Sequence, residues 1–195
     1  MKRIFSLLMI LFICIFSSFA QEDTESDDGF GDNIYVYDSN GSGDQFLKID
    51  LGGLFPLNFK NQLYAGGKAS IGFFKFLNKS FALGGEFTAT YNLSIGEKNL
   101  VILPLTFGAL YQPTYGKFEF PIYAEIGFSY ETWQNIELFP SFITKVSPGV
   151  YYRISEACSF GISSDFFWVP QWFKDSSKNF DGLFESAAIG IRYHF

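Results

Sequence analysis

Charge, histidine and cysteine are all scarce in this chain, and each scarcity excludes something. Only 17% of the 195 residues are Asp, Glu, Lys or Arg, against roughly 25% in ordinary soluble proteins. One histidine, His194, and two cysteines, Cys14 and Cys158, offer no cluster for a metal and a single imidazole base for nucleophilic catalysis. No basic stripe is present, which removes nucleic acid as a partner. Beyond the N-terminal leader there is no apolar run of the ~20 residues that a membrane helix needs, because glycines and charges recur every few positions. What abounds is aromatic: with 26 Phe and 11 Tyr, aromatics reach 21%. So much Phe is hard to bury in one small core and easy to face toward lipid.

The start of the chain reads as an export signal. Lys2 and Arg3 precede an apolar run from Ile4 to Phe16, and Ser17-Ser18-Phe19-Ala20 places small residues where signal peptidase reads them. That is the layout of a secretory signal, with cleavage expected after Ala20. The run is short for a retained anchor, and Ile13 beside Cys14 makes a poor lipoprotein site. Cys158 is then the remaining cysteine, without a partner for an internal disulfide, and reads as a small apolar residue near a turn. An exported chain with no further membrane helix is either soluble or a closed barrel, since only helices and barrels satisfy their backbone groups in lipid.

The net charge of −6 divides unevenly along the chain. Residues 21–44 carry eight acids (Glu22, Asp23, Glu25, Asp27, Asp28, Asp32, Asp38, Asp44) and no base, whereas residues 45–195 carry 12 acids and 12 bases. The first stretch reads as an acidic, disordered arm with too little apolar surface to fold; the body is neutral. The run Asp38-Ser39-Asn40-Gly41-Ser42-Gly43-Asp44 has the look of a calcium loop, but Ile49 stands at the twelfth position, where a bidentate Glu is required. It reads as a polar linker, and no cofactor or metal is expected.

The body alternates between apolar and polar residues in segments of about the 9–11 residues that a tilted membrane strand needs. Eight are expected: Phe46–Leu57, Leu63–Phe74, Phe81–Leu93, Leu100–Gln112, Phe118–Glu131, Phe142–Ile154, Ser159–Val169 and Leu183–Phe195. An even count puts both ends of the body on one side. The connections on that side are short: Lys75–Ser80, Pro113–Lys117 and Ser155–Cys158. Those on the other side, Asn58–Gln62, Ser94–Asn99, Thr132–Ser141 and Pro170–Gly182, lengthen toward the C-terminus. Short periplasmic turns and longer outer loops follow the barrel rule.

One face of these segments is apolar, from Leu47, Ile49 and Leu51 through Leu63 and Phe107 to Ile189 and Ile191, and its single charge is Glu185. A base at mid-membrane costs ~2–4 kcal/mol, so a face almost free of charge is expected to meet lipid. The other face gathers the charges: Lys48, Lys68, Lys145, Arg153 and Arg192 against Asp50, Glu86, Glu119, Glu125, Glu131 and Asp165, interleaved with Gly, Ser and Thr. A secreted calyx of the lipocalin kind would turn the apolar face inward, but an eight-strand interior is just filled by side chains and cannot hold so many Phe. Trp133, Trp168 and Trp172 fall at outer strand ends, where an interfacial belt is expected. Pro104, Pro121 and Pro148 lie inside expected strands of a barrel with no edge to host them; Pro104 and Pro121, on neighbouring strands, point to a shared bulge.

The chain ends Tyr193-His194-Phe195, with aromatics at the last and third-last positions of a closing strand. Leader, alternating strands and this ending together resemble the small bacterial outer-membrane barrels of the OmpA, OmpX and OmpW kind, over residues 46–195. The resemblance implies an eight-stranded antiparallel up-and-down barrel in the outer membrane, surrounded by its lipids, and an assembly machinery that reads the strand ending in Tyr193 and Phe195. It also implies structural, adhesive or solute-passage roles. No peptidoglycan-binding domain is expected after the barrel, which speaks against anchoring of the OmpA type, and the charged inner face speaks against hydrophobic-solute transport of the OmpW type.

Three functional readings follow. In the leading one the protein is not an enzyme: the inward charges pair into a plug, and the outer loops, with Trp133, Phe139 and Trp172, meet a host or environmental ligand or a lipopolysaccharide-like lipid. In the second the same charges line a narrow, porin-like channel. In the third the barrel modifies outer-leaflet lipid, but His194 lies at the end opposite such a substrate.

Overall fold

The computed structural model describes residues 40–59, 63–94, 99–133, 136–171 and 180–195. The leader, the arm to residue 39, and Trp172 lie outside them. Eight long strands form one antiparallel sheet: β1 (Gln45–Pro56), β2 (Gly66–Phe76), β3 (Phe81–Leu93), β4 (Asn99–Tyr111), β5 (Ile122–Trp133), β6 (Ile136–Ser155), β7 (Cys158–Gln171) and β8 (Phe180–His194). Each pairs with the next in the chain. The cylinder closes where β1 meets β8, with Leu47 opposite Tyr193 and Leu51 opposite Ile189. Closure removes the unpaired edges that an open sheet would expose.

Two short pieces, Thr114–Tyr115 and Phe118–Glu119, continue β4 and β5 rather than adding strands. Tyr115 lies opposite Phe118 and Thr114 opposite Glu119, so the turn shrinks from the expected Pro113–Lys117 to Gly116-Lys117. Gly116 has φ +56° there, a backbone that favours glycine. Pro121 interrupts the strand without shifting it. Phe118 pairs with Tyr152 before the break and Ile122 with Pro148 after it, and the Gly149 N–H still donates to the Pro121 carbonyl at 2.9 Å. The bulge expected at Pro104 and Pro121 is therefore not formed. Pro104, which has no N–H to give, drops out of the β3–β4 ladder, which resumes in the same register at Thr90 and Ile102.

Register shifts lie instead between Ser129 and Glu131, where β5 meets β6, and between Arg153 and Ser155, where β6 meets β7. Past the first the ladder continues to Trp133 opposite Ile136. The long outer loop expected over Thr132–Ser141 is thus mostly strand, and β6 starts six residues before the expected Phe142. Pro140 broke the alternation that would have revealed it. Leu63, expected outward at the start of the second strand, instead makes an isolated bridge to Ser94 and turns inward, 6% exposed. Because β2 runs to Phe76, Lys75 joins Glu185 as a charge on the outer face, at the rim beside the termini.

The cylinder is inside-out relative to a soluble protein. Outward positions hold large apolar side chains that are open to their surroundings, among them Leu51, Phe107, Ile126, Phe128 and Ile162. Such a contiguous apolar surface is untenable in water and well solvated by hydrocarbon. All eleven strand charges expected inside are buried. The last residues of the acidic arm are folded as well: the Gly43 N–H donates to the Phe76 carbonyl at 2.8 Å, the Phe76 N–H donates to the Asp44 carbonyl at 2.7 Å, and Asn40 is buried.

Glycine makes room where the interior is most crowded. A Cβ at Gly190 would collide with the Asp50 carboxylate and the Tyr151 hydroxyl. Gly190→Ala is expected to destabilise the barrel by ~1–3 kcal/mol, as overpacking does, in urea titrations followed by the heat-modifiable gel shift. Gly67→Ala, where an added Cβ meets nothing, is expected to stay within about 0.5 kcal/mol of the parent.

Candidate functional site

Period-two geometry aims every second side chain into the lumen, so Lys48 and Asp50 project inward from β1 while Ile49 between them faces out. The inward charges collect in three groups. Nearest the termini, one Arg153 nitrogen donates to Glu119 Oε1 at 3.0 Å and to Asn40 Oδ1 at 2.8 Å. Arg192 reaches the other Glu119 oxygen at 3.3 Å and Gln112 Oε1 at 2.8 Å. Its guanidinium lies 3.6 Å from the centroid of the Tyr151 ring, a stacking contact that a planar cation makes well.

The middle group is a chain of alternating sign. Lys48 Nζ lies 2.9 Å from Asp50 and 2.8 Å from Glu86; Lys145 Nζ lies 2.7 Å from Glu86 and 2.5 Å from Glu125. Neutral donors fill remaining acceptor positions: the Tyr151 hydroxyl on Asp50, Thr88 on Glu86 and Thr106 on Glu125. Toward the other end Lys68 pairs with Asp165, which also accepts from Ser186 Oγ at 2.7 Å. In these three groups five bases face five acids, Lys48, Lys68, Lys145, Arg153 and Arg192 against Asp50, Glu86, Glu119, Glu125 and Asp165. Glu131 is the eleventh charge, and the surplus one.

Sequence reasoning missed the two apolar seals that bracket these groups. Phe46, Phe74, Phe76, Ala82, Leu110 and Tyr123 close the end beside the termini, with Phe46 and Phe74 stacked at 5.5 Å. Leu54, Leu63, Leu100, Ile102, Ile143, Phe167, Val169 and Phe184 form the other seal. Both consist of apolar residues at inward parity near strand ends. Strand parity was the available signal, masked by reading the inner face as uniformly polar.

The aromatic positions divide. Trp168 faces outward, 37% exposed, edge-on to Phe142. Trp133 does not join an interfacial belt: it turns inward and packs, partly buried, on the far seal, because it shares the inward parity of Glu131. Tyr193 and Phe195 both face outward, and Phe195 and Gln45 exchange backbone hydrogen bonds of 2.9 and 3.2 Å. His194 points inward, its Nε2 3.0 Å from the Ser159 hydroxyl.

Above the far seal a cavity of about 230 Å³ opens at the mouth, walled by Phe59, Leu100, Ile102, Trp133 and Val169, with Glu131 and Gln171 as polar groups. Below it a void of about 10 Å³ lies between Leu54, Ile102, Ile143 and Phe167, room for no more than a water.

The sequence model of a protein family matches residues 21–193, from the acidic arm into the closing strand. The chain belongs to that family. Two proteins of Treponema pallidum (strain Nichols), both described as uncharacterized, are similar to it. One is 23% identical over 134 residues, covering 69% of this chain and 61% of the relative; the other is 20% identical over 152 residues, covering 70% and 52%. The chain thus spans about half to three-fifths of these relatives. Among solved structures, Neisserial surface protein A superposes with a TM-score of 0.66 at 12% identity, over 78% of this chain and 99% of that one. The outer membrane protein OprG from Pseudomonas aeruginosa gives 0.53 at 14% identity, over 81% and 98%. The fold is that of the small eight-stranded outer-membrane barrels, whose termini and short turns face the periplasm.

In this barrel Glu86 holds two lysines at once. Glu86→Gln is expected to lower stability by about 3–5 kcal/mol, as for a buried ion pair deprived of one partner. Adding Lys48→Met is expected to deepen that loss in the same urea titration, because it takes from the buried Asp50 its lysine partner. Glu185→Gln on the outer face serves as a control, expected within about 0.5 kcal/mol.

Proposed function

We propose that the protein is exported, cleaved after Ala20 and inserted in the bacterial outer membrane as a non-enzymatic barrel, with a structural or surface-interaction role exercised at its outward end. The observation that carries this reading is the middle charge group. Lys48, Asp50, Glu86, Lys145 and Glu125 are all buried and mutually paired across the lumen. A pore would need these groups hydrated, and breaking the pairs without water would leave uncompensated charges. The family match beginning at Gln21 is in keeping with a leader removed at that point.

Outer-membrane lipids are the proposed surroundings of the apolar belt. The assembly machinery is the proposed reader of Tyr193 and Phe195, which lie open on the outside of the closing strand. A host or environmental ligand is proposed to meet the outward end, where the β5–β6 hairpin presents Phe139 at 72% exposure. His194, bonded to Ser159 and packed against Phe46 at the periplasmic end, stands far from any substrate at the outer leaflet.

The refolded protein, its fold confirmed by the gel shift, is expected to leave a planar bilayer silent in single-channel recordings. Discrete, reproducible openings would instead favour a narrow solute channel lined by the same charges.

A further inference from the structure

Glu131 is the acid that the lumen network leaves over. It is 2% exposed, and its oxygens accept from Ser129 Oγ at 3.1 Å and from Gln171 Nε2 at 2.6 Å. No base among the described residues lies within ion-pair distance of it. Among the described residues its donors are neutral, and a carboxylate so held out of water is short of a cation. It lines the mouth cavity, and it is the charged residue of that cavity's wall. Around it the wall is aliphatic and aromatic, and its Trp133 and Phe59 are ring systems of the kind that attract ammonium groups. A mostly apolar pocket with a few convergent polar groups is the usual form of a small-molecule site, and about 230 Å³ limits the occupant to roughly one ring or a short chain.

We propose that the mouth cavity binds a small amine with an apolar body, its ammonium on Glu131 and its hydrocarbon against Leu100, Ile102 and Trp133. This names a ligand class for the outward end and rests on the closed-barrel reading above. The cavity is dead-ended by the far seal, so the amine is held there and not passed through.

The test is calorimetric titration of the full chain, refolded in nanodiscs of zwitterionic lipid, with empty nanodiscs subtracted. The probes are 2-phenylethylamine, neutral 2-phenylethanol and anionic 3-phenylpropionate. The amine is expected to bind saturably and about tenfold or more tighter than the alcohol, the scale of a charge-assisted hydrogen bond, and the anion not at all. Glu131→Gln is expected to erase the amine's advantage and leave the alcohol unchanged; Ile102→Trp, which fills the cavity, is expected to abolish both. Equal binding of amine and alcohol, unaltered amine affinity in Glu131→Gln, or no saturable binding overturns the proposal. Conductance on the same preparation separates the two readings. A silent bilayer without amine selectivity sinks the pocket alone, and openings sink the closed barrel whatever the calorimetry gives.

Discussion

Everything in this molecule depends on neutralising charge inside a cylinder too narrow to hydrate it. Eight strands leave an interior that side chains just fill. The eleven charges placed there must therefore find partners, and in the three groups around Glu119, Glu86 and Asp165 ten of them find one another. The demand for pairing fixes other choices. Gly190 must lack a side chain so that Asp50 can reach Tyr151, and Thr88 and Thr106 fill acceptor positions that the lysines leave open. The apolar seals above and below exclude water, and low local dielectric strengthens each ion pair while making an unpaired group more costly. A hydrocarbon surrounding would make no such demands, which is why the outer face needs only to be apolar and can vary freely among Phe, Leu, Ile and Val.

The same constraint explains how legible the fold was. Strict alternation between a lipid-facing and a charge-bearing face is imposed on every residue of a membrane strand, so eight strands, their order and the assignment of inside and outside follow from periodicity. What periodicity could not supply was behaviour at the strand ends. There the outer face leaves the membrane and the inner face meets a seal, so both faces can be apolar or both polar. Leu63, Trp133 and the Ile136–Ser141 stretch lie in that zone. Proline also misled. Pro121 suggested displacement, yet the neighbouring strands hold their register across it through the Gly149–Pro121 hydrogen bond, whereas the register shifts where Phe139 and Pro140 together face Tyr130, in a stretch the alternation did not mark as strand.

The site was legible in kind and not in arrangement. That Lys48, Glu86, Lys145 and their companions share one face follows from parity within each strand. Which acid meets which base depends on the stagger between strands, and stagger is set by turn geometry and closure, neither of which a linear pattern records. Glu131 shows the limit. In the sequence it is one of six inward acids; only the pairing of the other five singles it out.

The two ends of the barrel are consequently unlike. At the end beside the termini the chain closes on itself: Asn40 binds Arg153, stacked phenylalanines fill the lumen, and Arg192 locks Glu119 against Gln112 and Tyr151. At the outward end the seal lies deeper, and a cavity remains above it with the surplus carboxylate on its wall. A structure evolved only to be a stable plug has no reason to leave the acid that its described bases do not match beside an interior cavity of about 230 Å³. Stability favours pairing that acid or moving it to the surface, as it paired the other five. Keeping it buried, held by a glutamine and a serine, and facing an apolar cavity is arrangement for something that comes from outside.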